Sequence, residues 1–216
     1  MASCFPDSGL YAITRESGRG WHPVEAVEAA IRGGARLIQY REKNDDDRKS
    51  TAIALLAVCR RLGVPLIIND DIELARRIQA DGVHLGRDDG SIEAARERLG
   101  PGAIIGVSCY DSVQRASSAE RAGADYVAFG RFFPSRTKPA ASLARVASLI
   151  EARRVIGIPI AAIGGITPSN GGELLRAGAD FLAVIDAVFG EPDPEVAARD
   201  FAALFASIGH GPPESH

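Results

Sequence analysis

The segment RAGADYVAFG, Arg121–Gly130, is the clearest indicator of the fold, because its first half recurs where the chain changes from one pattern to another. RAGAD is repeated at Arg176–Asp180, and RGGAR at 32–36 and IQADG at 78–82 are weaker copies. Each copy lies at the end of a stretch with helical periodicity and at the start of a short apolar run typical of a strand. The copies therefore indicate a βα unit that recurs along the chain.

Short runs rich in Ile, Val, Leu, Tyr or Phe alternate with helical stretches and are predicted to be strands. They cover residues 10–14, 36–41, 65–69, 82–86, 103–108, 126–130, 159–164 and 181–185. The helix after the second strand is predicted from residues 45–63, with acids in its first turn and arginines in its last, as the helix dipole favours. This alternation predicts parallel strands joined by helical crossovers.

The predicted fold is of class α/β, a single (β/α)8 TIM barrel over residues 1–216, with frayed termini at 1–8 and 209–216. The alternative is an open doubly wound sheet. No G-x-G-x-x-G motif follows the first strand, which argues against a dinucleotide-binding version of that alternative.

Composition and charge narrow the class of protein. Hydrophobic residues are 46% of the chain, charged residues 25%, and the net charge is −3, so nucleic acid and anionic membranes are not expected partners. The sequence shows no apolar run of about 20 residues and no secretory signal pattern. The cysteines, Cys4, Cys59 and Cys109, are odd in number and widely spaced, which predicts no disulfide framework and a cytoplasmic location.

The second predicted strand runs into IQYREK, at the barrel end where active sites of this fold lie. Side chains alternate along an extended strand, so Leu37, Gln39, Arg41 and Lys43 share one face if the strand continues through Lys43. Two cations and an amide on one face suit a phosphate or diphosphate ligand. A solvated, charged strand end is the alternative.

Acids follow the next two strands, in PLIINDD at 65–71 and GVHLGRDDG at 82–90. Magnesium favours a few carboxylate oxygens, with water and substrate phosphate completing its coordination. One aspartate from each strand end would suit such a site, whereas Asp71 and Asp88 could instead cap the following helices. We expect one acid of each pair to cap or be solvated and the other to face the site.

Two later loops carry features that suit phosphate. The loop Gly130–Ala141 is typical of a lid that closes on phosphates. The pair Gly164–Gly165 would allow close backbone approach to a ligand, and a helix N-terminus near 168–170 would add N–H donors. The hydroxyl and cationic residues of the first loop are Ser135, Arg136, Thr137 and Lys138.

The histidines and cysteines indicate no other chemistry. His22, His84, His210 and His216 show no metal-ligand spacing, and no nucleophile–base triad is visible. His84 lies within a predicted strand and is expected to be a hydrogen-bonded interior residue. Cys59 is expected in the core, and Cys109 is expected there rather than in a site.

The motifs QYREK, IINDD, GVHLGRDDG, IGVSCY, GADYVAFGRFFPSRTKP and AAIGGI, in this order and spacing, resemble the thiamine phosphate synthase family over roughly residues 9–190. The resemblance implies a (β/α)8 transferase of thiamine biosynthesis that requires Mg²⁺. It implies coupling of 4-amino-2-methyl-5-(diphosphooxymethyl)pyrimidine to a thiazole phosphate, with loss of diphosphate through a pyrimidine carbocation. Nitrogen attack on that cation needs no general base, which agrees with the missing triad.

The resemblance also implies roles for individual residues. Asp70 and Asp89 would bind Mg²⁺, and Ser108 would contact the pyrimidine. The expected pyrimidine diphosphate residues are Gln39, Arg41, Lys43, Asn69 and Lys138. Tyr40 and Glu42 are expected to be substrate-binding residues as well. The expected thiazole phosphate residues are Ser135, Arg136, Thr137, Gly165 and the backbone at Ile185–Asp186. The catalytic residues in this set would be Arg41, Lys43, Ser108 and Lys138.

The chain departs from the family pattern at a few positions. Asp186 stands where the family often has serine, and its carboxylate would repel a phosphate unless it caps the following helix and turns away. Arg87 stands where glutamine is common, and Ser135 replaces a threonine but keeps the hydroxyl.

Two rival functions are compatible with the same barrel. A thiazole tautomerase of the same superfamily would not need the cations Arg41, Lys43 and Lys138 together with two metal aspartates. A non-catalytic phosphate-ligand-binding barrel would bind without turnover. In every case the expected partners are small phosphorylated molecules, and a homo-oligomer is compatible with the sequence.

Overall fold

The computed structural model describes residues 5–14, 22–42, 47–134 and 143–209. Its parallel strands close into a barrel in chain order, and β1 pairs with β8, which confirms the predicted TIM barrel and excludes the open sheet. The strands are β1 Gly9–Ile13, β2 Ala35–Tyr40, β3 Leu66–Asn69, β4 Gly82–Leu85, β5 Ile104–Tyr110, β6 Tyr126–Gly130, β7 Ile160–Ile163 and β8 Phe181–Val184.

Helices surround the barrel, one or more after each strand. In the described part of the chain they are α1 Pro23–Arg32, α2 Arg48–Leu62, α3 Ile72–Ile78, α4 Ile92–Leu99, α5 Val113–Arg121, α6 Val146–Val155, α7 Gly171–Arg176, α8 Asp186–Phe189 and α9 Pro194–Ser207. The expectation of one helix per strand is wrong after β8, where the short helix α8 precedes α9. Within the described ranges, no helix has the length and apolar character needed to cross a membrane.

The core has two layers because each strand buries both of its faces. Side chains that point outward pack against the helices, whereas those that point inward, such as Leu37, Ile67 and Phe181, fill the barrel. Strands buried on both faces explain why the sequence shows continuous apolar runs rather than strict alternation.

The aspartates of the RAGAD copies make the same side-chain to backbone hydrogen bond at the N-terminal end of the barrel, and we call this contact the joint. The carboxylate of Asp125 accepts a hydrogen bond from the Ile105 N–H at 2.7 Å, and that of Asp180 accepts one from the Ile160 N–H at 2.7 Å. Asp81, in the weaker copy, does the same for the Leu66 N–H at 2.9 Å. Each aspartate thus joins the start of its own strand to the start of the preceding one.

The copies precede β2, β4, β6 and β8, so the repeating unit is two βα units rather than one. In the copy before β2, Arg36 takes the place of the aspartate, and its side chain covers Gly9, where a Cβ would overlap it. The sequence analysis inferred a repeat of one βα unit, whereas the four copies recur once every two βα units.

Several predicted boundaries are wrong. Strand β2 ends at Tyr40, so the extension through Lys43 that would align four side chains is not formed within the described residues. Helix α2 begins at Arg48, after Asp47, and has no acid in its first turn. Residues 1–8 are not all frayed, because the ring of Phe5 stacks on that of Tyr126 with centroids 5.6 Å apart.

We expect Asp125→Ala to destabilise the barrel. The change removes the acceptor of the Ile105 N–H and the 2.8 Å ion pair with Arg96. Leaving a largely buried N–H without a partner costs about 1–3 kcal/mol. Urea denaturation of both variants should show this loss for Asp125→Ala and a change within about 0.5 kcal/mol for the exposed Asp200→Ala. Equal effects would contradict the role given to the joint.

Candidate active site

A cavity of about 560 Å³ lies at the C-terminal ends of β3 and β4, where the sequence predicts the site. It brings together residues that follow both strands, because these strands are neighbours and Asn69 is in register with His84. Acids dominate its wall. The lining residues are Glu42, Arg48, Asn69, Asp70, Asp71, Ile72, Glu73 and Asp89.

Asp71 is the helix cap of its pair, as predicted. One carboxylate oxygen accepts a hydrogen bond from the Leu74 N–H at 2.8 Å, which caps α3. The other oxygen pairs with Arg48 Nη1 at 3.1 Å. With both oxygens engaged, Asp71 is fixed in a structural role.

Asp70 has an unusual backbone that the surrounding structure holds in place. Its φ is +65°, in the left-handed region that non-glycine residues rarely adopt, although aspartate and asparagine do so more readily than most. Its N–H donates to the carbonyl of His84 at 2.9 Å. Residues in such conformations often belong to functional sites.

Asp89 reaches the same cavity from the loop after β4. Its Oδ2 accepts a hydrogen bond from the Gly86 N–H at 2.8 Å, which fixes the turn. No hydrogen bond to Oδ1 is found within the described ranges. Asp88 does not cap the following helix, since Ser91 caps α4 by accepting from the Ala94 N–H. Asp88 is exposed, which agrees with the expectation that one acid of each pair caps or is solvated.

The donor set at this cavity fits magnesium better than a cation bound by protein alone. The described residues contain no cluster of three or more His, Cys, Asp or Glu side chains with metal-binding geometry. Two carboxylates, Asp70 and Asp89, are the number that Mg²⁺ uses when substrate phosphates and water complete its octahedron. Arginines neutralise two of the three other acids, since Arg48 pairs with Asp71, and Arg76 and Arg98 pair with Glu73.

The end of β2 distributes its predicted site residues over different surroundings. Gln39 points into the barrel, whereas the ring of Tyr40 packs in the outer layer. The backbone of Arg41 is held by Thr14 Oγ1, which accepts from its N–H at 2.9 Å. Glu42 is buried and lines the cavity. Lys43 lies outside the described residues.

The barrel interior below the cavity contains a continuous run of polar side chains. Gln39 Nε2 lies 2.6 Å from the hydroxyl of Tyr11, which lies 2.7 Å from that of Tyr126. His84 lies between Tyr126 and Ser108. Its Nδ1 is 2.9 Å from the Tyr126 hydroxyl, and its Nε2 is 2.9 Å from the Ser108 hydroxyl. This confirms His84 as a hydrogen-bonded interior residue and connects two predicted substrate contacts, Gln39 and Ser108.

Comparison with known proteins identifies the family of the chain. A family model described as thiamine monophosphate synthase matches residues 10–188. The chain belongs to this family. The thiamine-phosphate synthase of Methylococcus capsulatus is 54% identical over 93% of this chain and 91% of the relative. The thiamine-phosphate synthase of Thiobacillus denitrificans is 53% identical over 94% of this chain and 97% of the relative. The solved thiamine phosphate pyrophosphorylase of Pyrococcus furiosus superposes with a TM-score of 0.84 at 35% identity, covering 94% of this chain and 97% of that one.

The predicted phosphate cradle of this thiamine monophosphate synthase family member is described in part. Gly165 has a φ of +63°, and a Cβ there would overlap the carbonyl of Pro134, so the packing of the neighbouring loop requires a glycine. Its own carbonyl accepts from Asn170 Nδ2 at 3.1 Å. Ser135, Arg136, Thr137 and Lys138 lie outside the described residues.

Asp186 does not occupy the cap position that would turn its carboxylate away from a phosphate. Ile185 is the cap residue of α8, and Asp186 is the first residue of that helix. A carboxylate in the first turn is nevertheless favourable to the helix dipole. The roles of Ile185 and Asp186 toward a phosphate stay predictions.

The cysteines are core residues, as expected for both Cys59 and Cys109. Burial raises the pKa of each thiol to about 12, so both remain protonated at neutral pH. Neither is a candidate nucleophile. Cys4 lies outside the described residues.

The sequence did not single out Arg48, Tyr11 or Tyr126. Arg48 pairs with a residue of the next loop, and only the register of β2 and β3 makes them neighbours. The tyrosines lie in apolar strands, where they resemble ordinary core residues. Their one available signal is the hydroxyl, which normally needs a partner when buried.

We expect Asp70→Asn to reduce the rate of a metal-dependent reaction by about 10²–10³-fold, comparable to losing one fixed electrostatic contact in other enzymes. Asparagine tolerates the left-handed backbone, so the unfolding temperature should not fall. The matched control is Asp71→Asn, which removes the same charge from the same loop but keeps a good cap. Steady-state kinetics with varied Mg²⁺ check this, and equal losses for both variants would refute the assignment of Asp70.

Proposed function

We propose that the protein is a thiamine-phosphate synthase. It couples 4-amino-2-methyl-5-(diphosphooxymethyl)pyrimidine with 4-methyl-5-(2-phosphooxyethyl)thiazole or its carboxylated precursor, giving thiamine phosphate and diphosphate. The observation that carries the proposal is the similarity to relatives with this name, 54% and 53% identical over more than nine-tenths of the chain. The enzyme is then a transferase of thiamine biosynthesis.

The acidic cavity supports a magnesium-dependent reaction. Carboxylates alone would repel a diphosphate, so Asp70 and Asp89 can face such a substrate only with a cation between them. Mg²⁺, when bound, neutralises the charge that develops on the leaving diphosphate. The pairing of Asp71 with Arg48 limits the excess negative charge around it.

Protein cations complete the neutralisation of the diphosphate in this proposal. Arg41, Lys43 and Lys138 contact its oxygens, and the side-chain amides of Gln39 and Asn69 add hydrogen bonds. Asn69 lies at the end of β3, directly before Asp70, so an amide contact and a metal contact come from successive residues. Tyr40 and Glu42, the neighbours of Arg41 in the sequence, belong to the same proposed substrate-binding segment.

The second substrate is proposed to bind at the loops after β6, β7 and β8. Ser135, Arg136 and Thr137 hold the thiazole phosphate together with Gly165 and the backbone of Ile185–Asp186. The loop that carries Ser135 to Lys138 shields the pyrimidine cation from water. The Ala144 N–H donates to the carbonyl of Arg131 at 2.7 Å, which ties together the described residues on the two sides of that loop.

The chemistry needs positioning and charge stabilisation rather than a base. The C–O bond to diphosphate breaks first, and the thiazole nitrogen then attacks the cation with its lone pair. Ser108 orients the pyrimidine ring so that the reacting carbon faces the thiazole.

We further propose a cytoplasmic location, a homo-oligomer, and no nucleic acid or membrane partner.

The direct test mixes both substrates with Mg²⁺ and the purified protein, and follows thiamine phosphate and diphosphate by chromatography. We expect both products in equal amounts, and no turnover when Mg²⁺ is chelated. Binding of the substrates without product would favour the non-catalytic barrel. Isomerisation of the thiazole without coupling would favour the tautomerase.

Lys138→Ala tests the role of the loop. We expect a rate loss of about 10²–10³-fold, because a cation that stabilises the leaving group acts mainly in the transition state. Lys49→Ala is the matched control, since Lys49 is exposed on α2 and carries the same charge. Unchanged kinetics for Lys138→Ala would remove this residue from the diphosphate site.

A further inference from the structure

The polar side chains inside the barrel form one hydrogen-bonded chain that crosses it from Gln39 to Ser108. The order is Gln39, Tyr11, Tyr126, His84 and Ser108, with donor–acceptor distances between 2.6 and 2.9 Å. These residues come from β2, β1, β6, β4 and β5, so the closed barrel, rather than any local segment, assembles the chain.

The centre of this hydrogen-bonded chain lies in the buried interior of the barrel. Tyr11 is 1% exposed and Tyr126 is fully buried. Tyr126 fits only because its register partner is Gly106, where a Cβ would overlap the phenol. Burial raises the pKa of both phenols well above the ordinary value, so each keeps its single hydrogen.

The amide of Gln39 sets the direction in which the hydrogen bonds of this hydrogen-bonded chain are donated. Because Gln39 Nε2 donates to the Tyr11 oxygen, the hydrogen of Tyr11 must go to Tyr126, its other hydrogen-bond partner in the described structure. Tyr126 then accepts from Tyr11, and its hydrogen goes to Nδ1 of His84. The opposite direction would leave the hydrogen of Tyr11, which is 1% exposed, without an acceptor among the described residues.

We propose that this chain holds His84 as the neutral tautomer with its hydrogen on Nε2, which makes Ser108 an acceptor toward His84 and a donor toward a bound ligand. Ser108 is partly exposed, and among the described residues His84 is the partner found for its hydroxyl. Gln39, Tyr11, Tyr126 and His84 are then positioning residues that act through Ser108.

The consequence is a rule for ligand recognition. The hydrogen bond from His84 uses one lone pair of the Ser108 oxygen and leaves the O–H directed away from His84. This favours a ligand atom with a lone pair at that O–H, as a pyrimidine ring nitrogen has. The identity of the ligand rests on the proposed function, but the tautomer does not. The tautomer can therefore be tested without substrate or turnover.

The test is ¹H–¹⁵N long-range correlation spectroscopy of the ligand-free full chain with ¹⁵N-labelled histidine. The chain has four histidines, and the His84 signals are assigned by their loss in His84→Gln. We expect a protonated Nε2 and an unprotonated Nδ1. A protonated Nδ1, or an equal mixture of the two tautomers, would overturn the proposal whether or not the enzyme couples its substrates.

The Gln39→Met variant tests whether the amide sets the direction. It keeps the length of the side chain but removes the donor, so both directions become available and the Nδ1–H tautomer should gain population. The exposed Gln114→Met, on α5, is the matched control and should leave the tautomer unchanged. Circular dichroism verifies that each variant is folded. An unchanged tautomer in folded Gln39→Met would refute the role of Gln39.

Discussion

The parallel pairing of β3 with β4 is the constraint on which the rest of the site depends. It places Asn69 in register with His84, so the segments that follow both strands open on the same cavity. A hydrogen bond from the Asp70 N–H to the His84 carbonyl then extends this pairing by one residue, into the left-handed turn. The same register that closes the barrel therefore places Asp70 and Asp89 on the wall of one cavity.

The barrel interior is apolar toward its N-terminal end and becomes polar toward its C-terminal end. Phe5 and Phe181 pack against Tyr11 and Tyr126, whose hydroxyls belong to the hydrogen-bonded chain that starts at Gln39. At the N-terminal end, the aspartates of the RAGAD copies instead bind the backbone at the strand starts. Carboxylates thus stabilise the fold at one end of the barrel and face the ligand cavity at the other, a division that TIM barrels commonly show.

The fold and the cap role of Asp71 could be predicted from the sequence, because both follow from local patterns. Asp71 caps α3 since it directly precedes a helix, whereas Asp88 does not cap α4 because Ser91 lies closer to its start. The contact of Arg48 with Asp71 could not be predicted, since it joins loops after different strands. The chain through Tyr11 and Tyr126 joins residues 115 positions apart, which no local pattern indicates.

We propose that Asp70 and Asp89 hold one magnesium ion together with the diphosphate of the substrate. Crystals grown with Mn²⁺ and diphosphate test this proposal directly, because the anomalous signal of manganese locates the metal. We expect one metal at about 2.1 Å from a carboxylate oxygen of each aspartate, with diphosphate oxygens and water as its other ligands. A metal bound by diphosphate alone, or by Glu42 and Glu73 instead, would contradict it.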